Sequence, residues 1–392
     1  MAALTESLRL MRPRTIAQIS KTATETAEQT REIKSTLKSL SKDASLGVER
    51  SLHLEHAVEQ QSKDFAKELK RLNEDLAVQL RAMQNGIEQQ IRGLSEELQA
   101  ARLRESQLRA VMQRNLELED EEATLRDQMK DLDGIRRHVQ AAFAATELHL
   151  EPFPYAVVDN LLPPWLYDAL LTGLPPVELY GDRAVNRQQL TVPFDLAPNY
   201  SHRVWRYMAK TVVDDVLMPA VLGMFMPSLR AWIHESFPAA SAEMVAGLPI
   251  KSAEGRIMYR RRGYYIKPHR DPKWGMITGI FYLAKPGDDE RWGTDLYSVA
   301  NDIKAPSVAP YWITEERCQH ERLVENRPNR VLLFLNSKGA HGARIPEGLA
   351  DVEVERSIYQ FKLGPRLTAM RQLIATLPPD EQKIWLGKAG DY

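Results

Sequence analysis

Apolar residues recur along the first 150 residues with a period close to that of an α-helix. Between residues 69 and 98 they are spaced 3, 4, 4, 3, 4, 4, 3 and 4 apart, at Leu69, Leu72, Leu76, Leu80, Met83, Ile87, Ile91, Leu94 and Leu98. This eleven-residue repeat has about 3.67 residues per turn, which predicts a nearly straight or slightly right-handed coiled coil. Heptad-like spacing follows at Leu125, Met129, Leu132, Val139 and Phe143. The pattern predicts a helical coiled-coil arm over residues 1–147.

An apolar stripe on a lone helix needs a partner in water. A second copy of the chain is one candidate. The other is a helical hairpin, made through breaks near Gly47, Gly86, Gly93 or Gly134, because interior glycines weaken a helix. No cluster of Gly, Pro, Asn and Asp interrupts residues 52–132. This continuity favours self-association, so we expect a homo-oligomer.

After residue 148 the pattern changes to short apolar runs separated by polar loops, which is typical of strands. The predicted strands are Tyr155–Val158, Met276–Leu283, Gly293–Val299, Arg330–Asn336 and Arg356–Leu363, and the predicted helices are Trp165–Leu174, His202–Leu217, Ala220–Phe237 and 365–388. Many short strands with long returns favour a double-sheet jelly roll, or double-stranded β-helix. The predicted fold class is α+β, with supporting helices, in a domain at residues 148–392 whose core is 256–364.

Composition supports this division and narrows the function. All seven tryptophans follow residue 150, and no proline occurs between Pro13 and Pro152. A net charge of -1 argues against nucleic acid as a partner. The only cysteine, Cys318, cannot form an intrachain disulfide, which favours a reducing compartment and predicts a cytoplasmic protein. No apolar run reaches the roughly 18 residues that suggest a membrane span.

A His-x-Asp pair ends the segment MYRRRGYYIKPHRD, which covers residues 258–271. In a strand, His269 and Asp271 would project from the same face. Two histidines and one carboxylate can hold Fe(II) on one side and leave the other positions open for substrate and dioxygen. The pair alone is a weak signal, since purely structural roles are open to both residues. A metal site would require a second histidine from elsewhere in the chain.

The order of further residues makes the signal stronger. After the pair come a strand with Thr278 and Tyr282, the sequence WGTDL at 292–296, an apolar strand leading to His341, and a strand that begins with Arg356. In this order the segment from Tyr259 to Leu363 resembles the core of the 2-oxoglutarate- and Fe(II)-dependent dioxygenase superfamily, in particular its prolyl 4-hydroxylase-like branch. The resemblance implies a hydroxylase that uses Fe(II) and 2-oxoglutarate, releases succinate and CO2, and takes ascorbate as a reductant.

Residue by residue, the resemblance makes His269, Asp271 and His341 the iron ligands. The sequence SKGAH directly after the apolar strand predicts that His341 lies on a turn at the edge of the sheet. The resemblance also implies that Arg356 and Tyr282 bind the far carboxylate of 2-oxoglutarate, that Tyr259 lies near the other end of this cosubstrate, and that Thr278 lines the same pocket. A guanidinium suits a carboxylate because it can donate two parallel hydrogen bonds.

Some assignments stay open. Arg356 follows His341 by fifteen residues, whereas close relatives have nine or ten, so we read the intervening IPEGLADVE as an inserted turn and Arg344 as too near the ligand to replace it. Arg356 could also be a structural ion-pair partner. The triplet 260–262 could select an anionic substrate, but a solvated charged loop is favoured. Trp274 and Trp292 could frame the entrance or pack in the core.

The substrate is not identified by these residues. A protein side chain, a saccharide and a small metabolite all remain open, because a fold does not fix a function. The competing hypothesis is a non-catalytic coiled-coil scaffold whose jelly roll serves as a binding module.

Overall fold

The computed structural model of this chain describes residues 21–22, 24–36, 48–181, 188–189, 196–271, 275–300, 311–346 and 355–386. The chain divides into two compact units, Met1–Leu98 and Gln99–Tyr392. In the first unit residues 21–22 and 24–36 are helical. The long helix α1, Val48–Glu117, continues through Gly86 and Gly93, where no atoms crowd the position of an added Cβ. Gly47 lies outside the described residues.

The predicted apolar stripe of the first unit lies on α1 and is exposed. Eight of its nine residues are exposed, with relative exposures that run from 38% at Leu76 to 61% at Ile91. The other six exposed residues are Leu69, Leu72, Leu80, Met83, Ile87 and Leu98. Leu94 is half-buried. The stripe therefore has no cover among the described residues, which is the situation that the sequence pattern predicts for a helix awaiting a partner.

The second unit contains the remaining helices. These are α2 (Glu119–Gln128), α3 (Leu132–Ala144), α4 (Pro164–Thr172), α5 (Asn199–Tyr207), α6 (Met218–Ser236), α7 (Ala242–Ala246), α8 (Leu367–Ile374) and α9 (Pro379–Leu386), with a π-helical segment at Met208–Leu217 and short 3₁₀ turns at Val177–Leu179 and Glu315–Arg317. The π segment joins α5 to α6, so the two helices predicted at 202–237 form one continuous helical stretch.

The strands form two antiparallel sheets. They are β1 (Leu148–His149), β2 (Tyr155–Val158), β3 (Gln188–Gln189), β4 (Ile250–Arg260), β5 (Tyr265–Arg270), β6 (Ile277–Tyr282), β7 (Thr294–Val299), β8 (Tyr311–Trp312), β9 (Cys318–Val324), β10 (Val331–Leu335), β11 (Ala340–Arg344) and β12 (Arg356–Pro365). The large sheet has the order β1-β2-β10-β6-β12-β4-β3, and the small sheet has the order β8-β5-β11-β7-β9. The chain thus combines helices with antiparallel sheets, as predicted.

Each central strand of the large sheet is buried on both faces. On one face, alternate residues such as Phe281 and Phe361 pack with the helices in the main hydrophobic core. On the other, Ile280, Tyr282 and Ile358 pack against Leu296 and Val324 of the small sheet in a second core. Two-sided burial explains why β10 is a continuous apolar run and why every residue of β6 is buried. We call the face of the large sheet that looks toward the small sheet its inner face.

The structure corrects two local predictions. The segment 258–271 is not one strand, because a turn separates β4 from β5 and Asp271 follows β5 directly. His341 does not lie on a turn at a sheet edge, since it is the second residue of β11, between β5 and β7 in the middle of the small sheet. The short sequence AHGAR, whose only apolar side chains are two alanines, hides this strand from a search for apolar runs.

Helices α2 and α3 belong to the second unit, which begins at Gln99, and the domain boundary at 147/148 stays a prediction. Leu125, Val139 and Phe143 are buried in the main core with the sheet and the helices around it. Their heptad-like spacing therefore serves packing within the second unit. Most of the predicted inserted turn, residues 347–353, lies outside the described residues.

Within the described part of the chain, one helical stretch is long and apolar enough to cross a membrane by composition alone. It is Asn199–Ser236, with a mean hydropathy of 1.5 over its best window. Its buried residues, among them Val204, Val212 and Phe225, belong to the main core. Packing in the core accounts for the buried apolar residues of this stretch.

Candidate active site

Strand pairing brings two histidines side by side. Strand β11 pairs antiparallel with β5, and His341 lies opposite His269 in this register. Their imidazole centroids are 4.2 Å apart. The ring of Phe334 lies 4.5 Å from His341, and that of Trp312 lies 5.2 Å from His269. The histidines are thus held between strands and lined by aromatic rings that limit the access of water.

Asp271 joins the two imidazoles from the end of β5. One potential ligand atom from each of the three residues lies within 4.8 Å of the others. All three side chains are buried, and Asp271 is the most accessible of them at 9%. Two imidazole nitrogens and one carboxylate oxygen are the donor set that non-haem Fe(II) sites use. These three residues, the His-Asp-His group, could hold a metal ion.

The surroundings of both imidazoles favour the neutral form, which is the form that binds a metal ion. Nδ1 of His269 donates a hydrogen bond of 2.8 Å to the carbonyl oxygen of Lys267, which can only accept. This bond fixes the tautomer and leaves the lone pair of Nε2 for a metal. Burial, together with the nearby His269, lowers the pKa of His341 to about 3. His341 is therefore neutral near pH 7 and loses no proton when it binds a cation.

The Asp271 carboxylate is fixed by residues of the opposite sheet. Thr278 Oγ1 donates to Oδ2 over 2.7 Å, and Lys362 Nζ lies 3.0 Å from Oδ1. Gln360 Nε2 donates to Oδ2 over 3.4 Å. Asn336 Nδ2 in turn donates to Thr278 Oγ1 over 2.9 Å. Burial acts to raise the pKa of Asp271, but Lys362, the two imidazoles and Thr278 hold it below its ordinary value.

Lys362 and Gln360 were not among the residues predicted from the sequence. They lie on β12 at even spacing from Arg356, and alternate residues of a strand share a face. The inner face of β12 therefore carries Arg356, Ile358, Gln360 and Lys362 in succession. Polar residues at alternate positions of a buried strand were the signal that would have revealed them.

Arg356 is a buried cation on this inner face. It is 2% exposed, and its guanidinium carbon lies 5.7 Å from the centre of the Tyr282 ring. Among the described residues, no carboxylate pairs with it and its Nε has no hydrogen-bond partner. Burial lowers the pKa of Arg356, yet arginine remains protonated in proteins. An uncompensated buried ion costs several kcal/mol, so this position calls for an anion.

Tyr282 lies beside Arg356. Its hydroxyl donates to Thr294 Oγ1 over 2.8 Å, and burial, the largest cause, raises its pKa to about 12. Thr278, predicted to line the cosubstrate pocket, contacts the carboxylate of Asp271. Trp292 is buried in a small cluster with Tyr264. Trp274 lies outside the described residues.

The structure does not bring Tyr259 to this group. Met258 belongs to the core between the sheets, so Tyr259, its neighbour on β4, faces the other way. The Tyr259 hydroxyl donates to Glu355 Oε1 over 2.7 Å, and its ring lies 5.5 Å from that of Tyr180. Arg344 is exposed, with its guanidinium 5.9 Å from the ring of Tyr265.

No protein-family model and no curated protein matches this chain. Among solved structures, it is similar to a prolyl-4-hydroxylase from Pseudomonas putida, with 14% identity over 58% of this chain and 97% of that one, at a TM-score of 0.32. It is also similar to HygX from Streptomyces hygroscopicus, determined with nickel, 2-oxoglutarate and hygromycin B bound, with 14% identity over 54% of this chain and 83% of that one, at a TM-score of 0.32.

A third similar structure is an oxidoreductase of the 2OG-Fe(II) oxygenase family from Burkholderia pseudomallei. It has 10% identity over 58% of this chain and 75% of that one, at a TM-score of 0.24. At such identities and TM-scores these likenesses carry no argument about this chain. Its function has to be inferred from its own side chains.

Proposed function

We propose that this chain is an Fe(II)- and 2-oxoglutarate-dependent dioxygenase of the prolyl 4-hydroxylase-like branch, built on a jelly roll, that hydroxylates an unidentified substrate. The observation that carries the proposal is a buried His-Asp-His group facing strand β12, which also carries the buried Arg356, a cation with no carboxylate partner among the described residues. Consecutive strands alternate between the two sheets from β4 to β7 and again from β9 to β12, which supports the jelly roll. A reducing, cytoplasmic setting fits the single cysteine, Cys318.

Each predicted ligand has a defined task in this proposal. His269, Asp271 and His341 would hold Fe(II), and Lys267 and Thr278 would orient two of them through hydrogen bonds. Bound Fe(II) would activate dioxygen, so that 2-oxoglutarate is converted to succinate and CO2 while one oxygen atom enters a C–H bond of the substrate. Ascorbate would act as the reductant that keeps the iron ferrous.

The far carboxylate of 2-oxoglutarate would bind Arg356, with Tyr282 beside it. Arg356 and Gln360, which touches Asp271, are four residues apart on one strand, about 13 Å between their Cα atoms. A five-carbon dicarboxylate would span part of this interval, between the guanidinium and the His-Asp-His group. A carboxylate there would neutralise the buried charge of Arg356.

Metal content and succinate formation test the proposal. Purified protein supplied with Fe(II), ascorbate, 2-oxoglutarate and dioxygen should form succinate, even without substrate. His269→Ala should lose both iron binding and succinate, while the control His234→Ala, an exposed histidine on α6, should keep both. A wild-type chain that neither binds iron nor forms succinate would contradict the proposal and support the non-catalytic binding module instead.

The substrate would be sought by mass spectrometry. Hydroxylation adds one oxygen atom, so a product gains about 16 Da over its precursor. Lysate components treated with the active protein and with His269→Ala would be compared. Protein side chains, saccharides and small metabolites are all covered by this comparison, and we assign no prolyl substrate.

We also propose that the apolar stripe of α1 binds a second copy of the chain. The stripe keeps one eleven-residue period from Leu69 to Leu98, and its members are exposed. A partner must follow the same period over this length, and an identical helix does so by construction. Mixed positive and negative charges on the rest of the helix favour pairing over repulsion.

A further inference from the structure

A lysine ammonium lies against the carboxylate of the His-Asp-His group. Lys362 Nζ is 3.0 Å from Asp271 Oδ1, within the distance of an ion pair. The side chain of Lys362 is 21% exposed and that of Asp271 is 6% exposed. A buried carboxylate without a counter-charge is strongly destabilising. The ammonium therefore supplies the positive charge that Asp271 would otherwise lack in the metal-free protein.

Strand register places Lys362 at this carboxylate. Lys362 on β12 is the register partner of Thr278 on β6, and Thr278 donates a hydrogen bond to the other carboxylate oxygen, Oδ2. Side chains of directly opposite residues lie close together on one face of a sheet. The large sheet thus presents a hydroxyl to one oxygen of Asp271 and an ammonium to the other.

A glycine makes room for the stem of this lysine. A Cβ atom added to Gly275 would lie 2.5 Å from Cδ of Lys362 and 2.9 Å from its Cβ, so a larger residue would displace the stem. The Gly275 carbonyl oxygen accepts a hydrogen bond of 2.6 Å from Asn336 Nδ2, which also donates to Thr278 over 2.9 Å. The backbone beneath the lysine is therefore itself held, and its close approach restricts the path of the stem.

A metal ion and the ammonium would share the carboxylate of Asp271. Like charges a few ångströms apart repel each other, and the repulsion is stronger where burial limits screening by solvent and salt. A divalent ion bound to the His-Asp-His group would therefore either weaken the pair of Lys362 with Asp271 or bear the repulsion of the ammonium. Both alternatives reduce the free energy of metal binding.

We propose that Lys362 is a positioning residue that acts as an internal cation, which holds Asp271 in the metal-free protein and lowers the affinity of the His-Asp-His group for divalent metal ions. The inference rests on the metal site of the proposed function and is independent of its cosubstrate and substrate. The empty site keeps a balanced charge and a preformed ligand, and the bound ion stays exchangeable.

Metal affinity and the stability of the metal-free protein should change in opposite directions in Lys362→Met. Methionine keeps most of the stem and removes the charge. The variant should bind Mn(II) about 10- to 100-fold more tightly than the wild type, measured by the electron paramagnetic resonance of the free ion. It should melt at a lower temperature without metal, because Asp271 loses its counter-ion. The matched control Lys383→Met, which removes an exposed lysine 3.1 Å from Asp380, should leave both quantities unchanged.

A double variant isolates the ion pair in the metal-free protein. Lys362→Met leaves the Asp271 carboxylate without its ammonium, whereas Lys362→Met combined with Asp271→Asn removes both charges. Removal of both partners of a buried pair is tolerated better than removal of one. The metal-free double variant should therefore melt at a higher temperature than Lys362→Met alone.

A lysine that only fills space would give a different pattern. Damage to the packing of the site would lower the metal affinity together with the melting temperature. Mn(II) binding by Lys362→Met that is equal to or weaker than that of the wild type would overturn the inference, as would a double variant that melts no higher than Lys362→Met. A Lys362→Met chain that folds only with Mn(II) would support the inference, and one that stays unfolded with Mn(II) would contradict it.

Failure of the proposed function gives a separate result. Wild-type protein that binds Mn(II), but neither binds 2-oxoglutarate nor forms succinate, would contradict the dioxygenase and leave the test of Lys362 intact. Wild-type protein that binds no Mn(II) would refute the metal site and, with it, the role of Lys362. Wild-type binding of Mn(II) and 2-oxoglutarate, combined with an unchanged Mn(II) affinity in Lys362→Met, would contradict only the role of Lys362.

Discussion

Removal of the Thr278 hydroxyl should weaken metal binding without removing a ligand. Thr278 is fully buried, and its Oγ1 donates to Asp271 Oδ2 over 2.7 Å. Thr278→Val keeps the shape of the side chain and deletes this bond. Asn336 Nδ2 would lose its contact with Thr278 but keep its bond of 2.6 Å to the carbonyl oxygen of Gly275. The change is therefore concentrated on the carboxylate.

The expected magnitude follows from the charge on the acceptor. A hydrogen bond to a charged group contributes about 1.5–3 kcal/mol. Loss of a residue that orients a metal ligand lowers metal affinity about 10- to 100-fold, which is the same range. Titration of the metal-free protein with Mn(II), followed by calorimetry or by the electron paramagnetic resonance of the free ion, would measure this affinity.

A second buried strand threonine provides the control. Thr294 is 2% exposed and accepts a hydrogen bond from Tyr282, but it does not touch the His-Asp-His group. Thr294→Val should lose a comparable packing and hydrogen-bonding contribution while binding Mn(II) like the wild type. Equal affinities for Thr278→Val and the wild type, or equal losses in both threonine variants, would refute the reasoning that Thr278 orients Asp271 for a metal.

Three further predictions concern pH, the buried arginine and the long helix. Burial lowers the pKa of His341 to about 3, so on acidification the unfolded state takes up a proton at this residue before the folded state does. The metal-free protein should therefore lose at most about 5 kcal/mol of unfolding free energy between pH 6.5 and 3. In denaturant titrations at these pH values, His341→Gln should show a smaller loss. Arg356→Met should raise the melting temperature of the metal-free protein but abolish 2-oxoglutarate binding; a lower melting temperature would reveal a structural ion pair. Ile87→Glu should reduce the mass measured by light scattering, whereas Gln89→Glu should not.

Five of the strands in the described part of the chain were predicted with ends close to those observed. Strands β2, β6, β7, β10 and β12 lie within two residues of the predicted ranges, because a buried strand face requires apolar residues in alternation or in runs. Strand β11 escaped because its central residues serve the site and the close strand pairing, and only alanine and the arginine stem supply apolar surface. His341 itself was found from the resemblance and not from periodicity.

The residues of the site that are recognisable by their type and spacing were predicted from the sequence. The residues whose position depends on which face of a strand they occupy were not. His269 and Asp271 lie together, as their spacing predicts. Tyr259 was expected near the cosubstrate, yet the register of β4 turns it away and turns Arg260 inward. One residue of register exchanges the two faces of a strand, and the sequence around the RRR triplet holds no apolar alternation that fixes it.

The anchoring of Asp271 has a mechanical consequence. The His-Asp-His group belongs to the small sheet, where His269 lies on β5, Asp271 follows β5 directly and His341 lies on β11. The residues that contact Asp271 belong to the large sheet: Thr278 lies on β6, and Gln360 and Lys362 lie on β12. A cation bound to Asp271 would therefore connect the small sheet to the large sheet in the space between them. Separation of the sheets and escape of the ion would become a single event, so metal loading should slow amide hydrogen exchange in both sheets at once.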